Sequence, residues 1–150
     1  MKKEIPILIT SRKPLQEKML TAIKELEQPL VHRICEPTAL HNCPVRNTAL
    51  NIAIGRTVVL RMAEKAFPKA NHFFFLDAVV VPPSNTIEQL CSRNLPIVGG
   101  WFPSHCKTSW IGGFWVADNT FKHFDRVYPD LWETQLITLG CTLVKRELLK

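Results

Sequence analysis

The sequence predicts an α/β protein with a mainly parallel central sheet flanked by helices, folded as one domain over residues 1–150. Three observations predict it. A strand, a helix and a strand follow one another within about 30 residues at the start. A long helical pattern comes next, and then the apolar run HFFFLDAVVVPP, which holds a single charge, Asp77. Apolar runs of this kind are typical of strands that helices cover on both faces.

The first three elements form a βαβ unit. Ile5 to Thr10 is a short apolar run rich in β-branched residues, which predicts the first strand. Pro14 suits the first turn of a helix, and apolar residues then recur every three or four positions. Leu30 to Cys35 predicts the second strand, ended by Glu36 and Pro37. Two such strands are expected to pair in parallel, with a right-handed crossover between them.

The middle of the chain alternates helix and strand again. Val45 to Phe67 has a helical pattern with one weak point, Gly55. The apolar run that starts at His72 predicts the central strand. A short third helix follows, because Asn85 and Glu88 have the spacing of a capping box.

The last third of the chain predicts strands more than helices. Leu95 to Phe102 is expected to be a strand, and so is Trp110 to Val116, with an antiparallel direction as one option. The segment around that second strand is rich in aromatic and turn residues and has no clear helix. Leu136 to Val144 predicts a final strand broken at Gly140, and KRELLK predicts the start of a helix.

Composition limits the possible class of protein. A hydrophobic content of 46% with 21% charged residues is ordinary for a globular domain and argues against disorder. The net charge of +6 is scattered and suits phosphate-bearing ligands or an anionic surface. No apolar run is long enough for a membrane span or a secretory leader, and the five cysteines are odd in number. These features predict a cytoplasmic protein with reduced thiols.

Asp77 is the residue most indicative of a site. An ionised carboxylate among apolar residues must be protonated, paired, or placed at a strand end where it meets solvent, a metal or a ligand. In α/β sheets, ligands bind beyond the carboxyl ends of the strands. The polar residues expected at that edge are Thr10, Ser11, Arg12, Glu36 and Asp77. The alternative is that Asp77 only caps the next turn or pairs with a lysine.

Five segments, in this order, resemble the GT-A-fold glycosyltransferases that use nucleotide sugars, and family 2 in particular. They are ITSRKP, Val45-Arg46-Asn47, FFFLDAVVVPP, PIVGGWF and GCTLVKRELL, and they extend over nearly the whole chain. The resemblance implies a Rossmann-like nucleotide-diphospho-sugar transferase fold. It also implies a UDP- or GDP-sugar donor, an acceptor that the sequence does not identify, and transfer of a hexose between them.

The resemblance also implies roles for individual residues, although it identifies no catalytic base. Thr10, Ser11 and Arg12, at the end of the first strand, would border the nucleobase. Glu36 would face the base or ribose, and Asp77 would face the ribose or a metal. Arg46 and Asn47, at the start of the long helix, would contact the nucleoside or phosphate. Gly99, Gly100 and Trp101 would lie beside the sugar.

The sequence departs from the family pattern in two places. The family's central strand ends in Asp-x-Asp, which holds a divalent cation such as Mn or Mg against the diphosphate. Asp77 matches the first Asp, but Val79 stands in the place of the second and cannot bind a metal. The family continues past the GxxLxxRE segment to an acidic stretch, whereas this chain stops at Lys150, as a truncated domain would.

Several alternatives remain open at this stage. A non-catalytic nucleotide-sugar-binding module would explain Val79 and the early end, and a nucleic-acid-binding protein would use the positive charge. Arg46 and Asn47 would otherwise be an ordinary solvated helix turn, and Gly99 and Gly100 an ordinary strand end. Zinc ligation by His32, Cys35, His41 and Cys43 is disfavoured, because their spacing matches no common zinc finger. A homo-oligomer and a viral source are both compatible with the sequence.

Overall fold

The computed structural model describes residues 4–34, 44–100, 110–115, 121–124 and 139–149, with backbone alone for 44–50, 110–115 and 121–124. The elements of the first half are β1 (Ile7–Ser11), α1 (Glu17–Glu25), β2 (Leu30–Ile34), α2 (Pro44–Ala66) and β3 (His72–Leu76). Those of the second half are α3 (Thr86–Ser92), β4 (Ile97–Gly99), β5 (Trp110–Trp115), β6 (Phe121–Phe124), β7 (Cys141–Lys145) and a 3-10 turn at Arg146–Leu149.

Five of the strands form one sheet in the order β2-β1-β3-β7-β4. β1 pairs in parallel with β2 and with β3, whereas β7 pairs antiparallel with both β3 and β4. The sheet is therefore mixed, and the expectation of a mainly parallel sheet is wrong. The reason is that the last strand returns between β3 and β4 in the opposite direction. β5 and β6 form a separate antiparallel pair.

The core consists of two layers, one on each face of the sheet. Side chains alternate along a strand, so Ile7 and Ile9 of β1 pack on the side of α1 and α3, while Leu8 packs on the side of α2. In β3, Phe74 and Leu76 lie in the first layer and the neighbouring Phe73 and Phe75 in the second. Unbroken apolar runs thus correspond to strands covered on both faces, as predicted.

Helix and strand positions agree with the sequence pattern more closely than their ends do. α3 begins after Asn85 as predicted, but Asn85 makes no side-chain capping bond, so the capping box does not form. Gly140 precedes β7 instead of interrupting it, and the final helix is a short 3-10 turn. Among the described helices, none is sufficiently long and apolar to cross a membrane.

Arg146, just after β7, anchors the end of α2. Its Nε donates to the carbonyl of Ala70 at 2.6 Å, and its Nη2 donates to the carbonyl of Phe67 at 2.7 Å. The guanidinium also lies over the ring of Phe73, 5.0 Å from the ring centre. The closing strand therefore binds the helix-to-β3 connection as well as the sheet.

Candidate functional site

The strands β1, β2, β3 and β4 all end at one edge of the sheet, which we call the carboxyl edge. β3 and β4 share a direction because both pair antiparallel with β7. Ser11 ends β1, Asp77 follows β3, and Gly99 ends β4, so these residues lie along the carboxyl edge. The sheet topology thus brings together residues that are far apart in sequence, at the edge where ligands of α/β sheets bind.

Asp77 is held at the carboxyl edge by three contacts. Its backbone N–H donates to the carbonyl of Gly140 at 2.9 Å, and its own carbonyl accepts the N–H of Val80 at 3.0 Å. Its carboxylate Oδ1 accepts a hydrogen bond from Nη2 of Arg56 at 2.8 Å. The side chains of Arg56 and Asp77 are 26% and 40% exposed. Asp77 is therefore both ion-paired and open to solvent.

Arg56, the partner of Asp77, was not among the residues predicted from the sequence. A signal for it exists, because Arg56 lies three residues before Val59, which is four before Ala63. Val59 and Ala63 are fully buried against the sheet, so Arg56 occupies the same inward-facing stripe of α2. A cation on the apolar stripe of a helix needs a partner, and the nearest strand end supplies one.

Asp77 and Ser11 lie at the same edge but on opposite sides of the sheet. Alternation places Ser11 with Ile7 and Ile9 on the side of α1, whereas Asp77 contacts α2 through Arg56. By the same alternation, Thr10 is on the α2 side. A ligand that reaches both Ser11 and Asp77 would have to cross the end of the sheet.

Ser11 is paired with His32 of the neighbouring strand. The Ser11 hydroxyl donates to the carbonyl of Lys13 at 2.6 Å, and its oxygen lies 2.7 Å from Nε2 of His32. A hydroxyl has one hydrogen to donate, so the N–H in this second contact belongs to His32. Partial burial lowers the pKa of His32. The arrangement orients the hydroxyl of Ser11 between β2 and the turn that follows β1.

Gly100, the residue after β4, packs tightly against β7. The N–H of Gly100 donates to the carbonyl of Cys141 at 2.8 Å. A Cβ on Gly100 would lie 3.0 Å from Sγ of Cys141, closer than an ordinary contact. Burial is the main cause that raises the pKa of the Cys141 thiol to about 11. A side chain at position 100 would therefore fit only if the side chain of Cys141 moved by a few tenths of an ångström.

The remaining predicted site residues are only partly described. Thr10 is half-buried in β1, and Arg12 is exposed just beyond it. Arg46 and Asn47 lie in the first turn of α2, where the backbone alone is described. Glu36 and Trp101 lie outside the described residues, as do Cys35, His41 and Cys43 of the zinc alternative. The ligand contacts expected for all ten residues remain predictions.

The residues around Asp77 do not form the two-carboxylate metal site that the family resemblance implies. Val79 occupies the second position, is 74% exposed and offers no ligand atom. Arg56 occupies Oδ1 of Asp77 and places a positive charge where a cation would bind. In the part of the chain that the structure describes, no three His, Cys, Asp or Glu side chains are grouped to hold a metal ion.

Comparison with solved structures supports the fold. A197 from STIV superposes with a TM-score of 0.64 at 17% sequence identity, over 97% of this chain and 66% of A197. A glycosyltransferase involved in the glycosylation of the major capsid of PBCV-1 superposes with a TM-score of 0.47 at 16% identity, over 97% of this chain and 61% of its own length. No protein-family model and no curated protein matches the chain.

The likeness to A197 concerns the fold alone, because so few residues are identical. It agrees with what the coordinates show directly, an α/β protein with a mixed five-stranded sheet, compatible with a Rossmann-like fold. The chain spans slightly less than two thirds of the length of either structure.

Proposed function

We propose that this chain is a GT-A-type domain that binds a nucleotide sugar and transfers the sugar to an acceptor. The observation that carries the proposal is Asp77, an exposed carboxylate fixed at the carboxyl end of the central strand. The five segments that resemble family 2 glycosyltransferases support it. The strands within ITSRKP, FFFLDAVVVPP and PIVGGWF end at this edge, and GCTLVKRELL begins beside it.

The charge of the carboxyl edge suits a phosphorylated ligand. Arg12 and Lys13 are exposed just beyond β1, and Arg56 is held next to Asp77. Cationic side chains form strong charge-assisted hydrogen bonds to phosphate. Carboxylate and hydroxyl groups such as those of Asp77 and Thr10 can accept hydrogen bonds from ribose or from a base. Under this proposal the diphosphate lies near Arg56 and the nucleoside lies towards β1.

A non-catalytic binding module of the same fold is the second candidate. Val79 favours it, because an exposed apolar side chain stands where the family has its second carboxylate. Such a module would keep the nucleotide site but would not stabilise the charge on the leaving diphosphate through a two-carboxylate metal.

Calorimetric titration with UDP, GDP and their glucose conjugates tests the nucleotide site. We expect binding by the wild type with and without added Mn²⁺, and binding at least about tenfold weaker in Asp77→Asn. Glu64→Gln is the matched control, because Glu64 also pairs with an arginine of α2, Arg61, whose side chain is 71% exposed. If none of these nucleotides binds in either buffer, the proposal is wrong.

A turnover assay separates the enzyme from the binding module. Release of sugar or nucleoside diphosphate from a donor that binds, lost in Asp77→Ala, would establish catalysis. Binding without turnover against any acceptor would favour the module. Binding of DNA or RNA that falls steeply with salt, in the absence of nucleotide binding, would favour the nucleic-acid alternative instead.

A further inference from the structure

We propose that Arg56 takes the place of the divalent cation, so that the site binds the diphosphate of its ligand without a metal. The inference rests on the proposed function, because it concerns how the same nucleotide site neutralises phosphate. It differs from what the family resemblance implies, namely a metal held by paired carboxylates.

The first step of the argument is that a metal is disfavoured beside Asp77. A hard divalent cation needs several oxygen ligands, and Val79 removes the second carboxylate. The guanidinium of Arg56 donates to Oδ1 of Asp77 at 2.8 Å. A dication that approached this carboxylate would meet a like charge at close range, and it would have to displace the arginine to gain Oδ1.

The second step is that Arg56 is positioned as a resident cation. It projects from the inward-facing stripe of α2, one turn before the buried Val59, so a rigid helix fixes its Cα. Asp77 in turn is fixed by backbone bonds to Gly140 and Val80. The arginine is thus held from both ends, and its side chain keeps an exposed fraction of 26%.

The third step is that a guanidinium carries more N–H donors than one carboxylate contact uses. Arginine carries five N–H groups in a planar fork, and the contact with Asp77 is made through Nη2. The fork geometry matches phosphate oxygens, which it can bind in pairs. Arg12 and Lys13, exposed beyond β1, add positive charge at the same edge. Together these side chains supply, from the protein, the charge that a metal would supply.

The test is calorimetry of UDP and GDP in EDTA and in MnCl₂, with Arg56→Gln and Arg56→Lys. We expect the dissociation constants in the two buffers to agree within about twofold, and Arg56→Gln to weaken binding at least about tenfold in both. Arg56→Lys should bind with intermediate affinity. Arg61→Gln is the matched control, because Arg61 is on the same helix, pairs with Glu64 and is 71% exposed, and it should bind like the wild type.

A second measurement keeps the test independent of folding defects. UDP and uridine, or GDP and guanosine, should be compared in EDTA, because Arg56 is expected to contact only the phosphates. In Arg56→Gln the affinity gap between nucleotide and nucleoside should shrink while nucleoside binding is unchanged. A gap as large as that of the wild type, including the case in which both affinities fall equally, would contradict a phosphate contact.

The possible failures can be told apart. Binding that requires Mn²⁺ and is abolished by EDTA overturns the role of Arg56 but leaves the proposed function standing. Absence of binding by any nucleoside diphosphate in both buffers overturns the proposed function itself, and this inference with it. Metal-free binding that Arg56→Gln does not weaken overturns the role of Arg56 alone.

Discussion

Arg56 of α2 and Asp77 after β3 are 21 positions apart in sequence and lie 2.8 Å apart, Nη2 to Oδ1, at the carboxyl edge. The pair reconciles two expectations for a carboxylate that follows a buried strand, since Asp77 is ion-paired and also accessible to a ligand. It also links the covering helix to the strand end on which the proposed site depends.

The Arg56–Asp77 pair should contribute little to global stability. Both side chains are partly exposed, so solvent screens the attraction, and such pairs contribute about 1 kcal/mol or less. A double-mutant cycle with Arg56→Gln and Asp77→Asn, measured by urea unfolding, should give a coupling free energy of that size. The Arg61–Glu64 pair on the same helix serves as the reference cycle. A coupling of about 3 kcal/mol or more would instead identify the pair as a structural one.

Gly100→Ala should destabilise the fold through a specific clash. The new methyl group would lie 3.0 Å from Sγ of Cys141, and overpacking of this kind costs about 1–3 kcal/mol. Cys141→Ala removes the sulfur and should offset much of the cost in the double variant. Unfolding of the wild type, both single variants and the double variant measures this. Strict additivity of the two changes would show that Sγ is not the cause.

The Cys141 thiol should be unreactive in the folded protein. Burial raises its pKa to about 11, so at about pH 8 it remains almost entirely protonated, and reagents cannot reach it. Iodoacetamide should label the half-buried Cys91 faster than Cys141, and both alike in urea. Peptide mass spectrometry resolves the two sites. Equal labelling rates under native conditions would contradict the burial of β7.

His32 should make the protein less stable in mild acid. Its folded-state pKa lies below the ordinary value of 6.5, so below that pH the unfolded state binds the proton more readily. Its stabilising contribution is complete above about pH 6.5 and is lost as the pH falls through the folded-state pKa. Between about pH 7 and pH 5, His32→Gln should lose less stability than the wild type, since glutamine keeps a donor but does not titrate. Parallel pH profiles would contradict this.

Arg146→Ala should be among the more costly changes at partly exposed positions. It would remove the Arg146 donor from the carbonyl of Ala70 and one of two donors from the carbonyl of Phe67, which also accepts the N–H of Ala70. It would also remove the cation from the face of Phe73. Loss of charged hydrogen bonds of this kind costs about 2–3 kcal/mol. Lys145→Ala is the neighbouring control, because the side chain of Lys145 makes a long, exposed contact of 3.5 Å with Asn94. Equal effects of the two substitutions would contradict the anchoring role.

The sequence alone was sufficient for the order of the first six elements. Their signals are local: unbroken apolar runs for β1 and β3, recurring apolar spacing for α1 and α2, and prolines that end segments. The same signals identified Asp77, because a single charge inside an apolar run is visible without coordinates. Glu36 and Trp101 lie outside the described residues, so their predicted contacts are still predictions.

Only the tertiary structure decided how the strands pair and what Asp77 contacts. A strand's direction depends on which neighbours it finds, and nothing local in CTLVK indicates that β7 inserts antiparallel between β3 and β4. The partner of Asp77 likewise depends on how far α2 is shifted along the sheet, which places Arg56 level with the end of β3. Patterns of hydrophobicity record which face of an element is buried, whereas pairing between elements is a property of their packing.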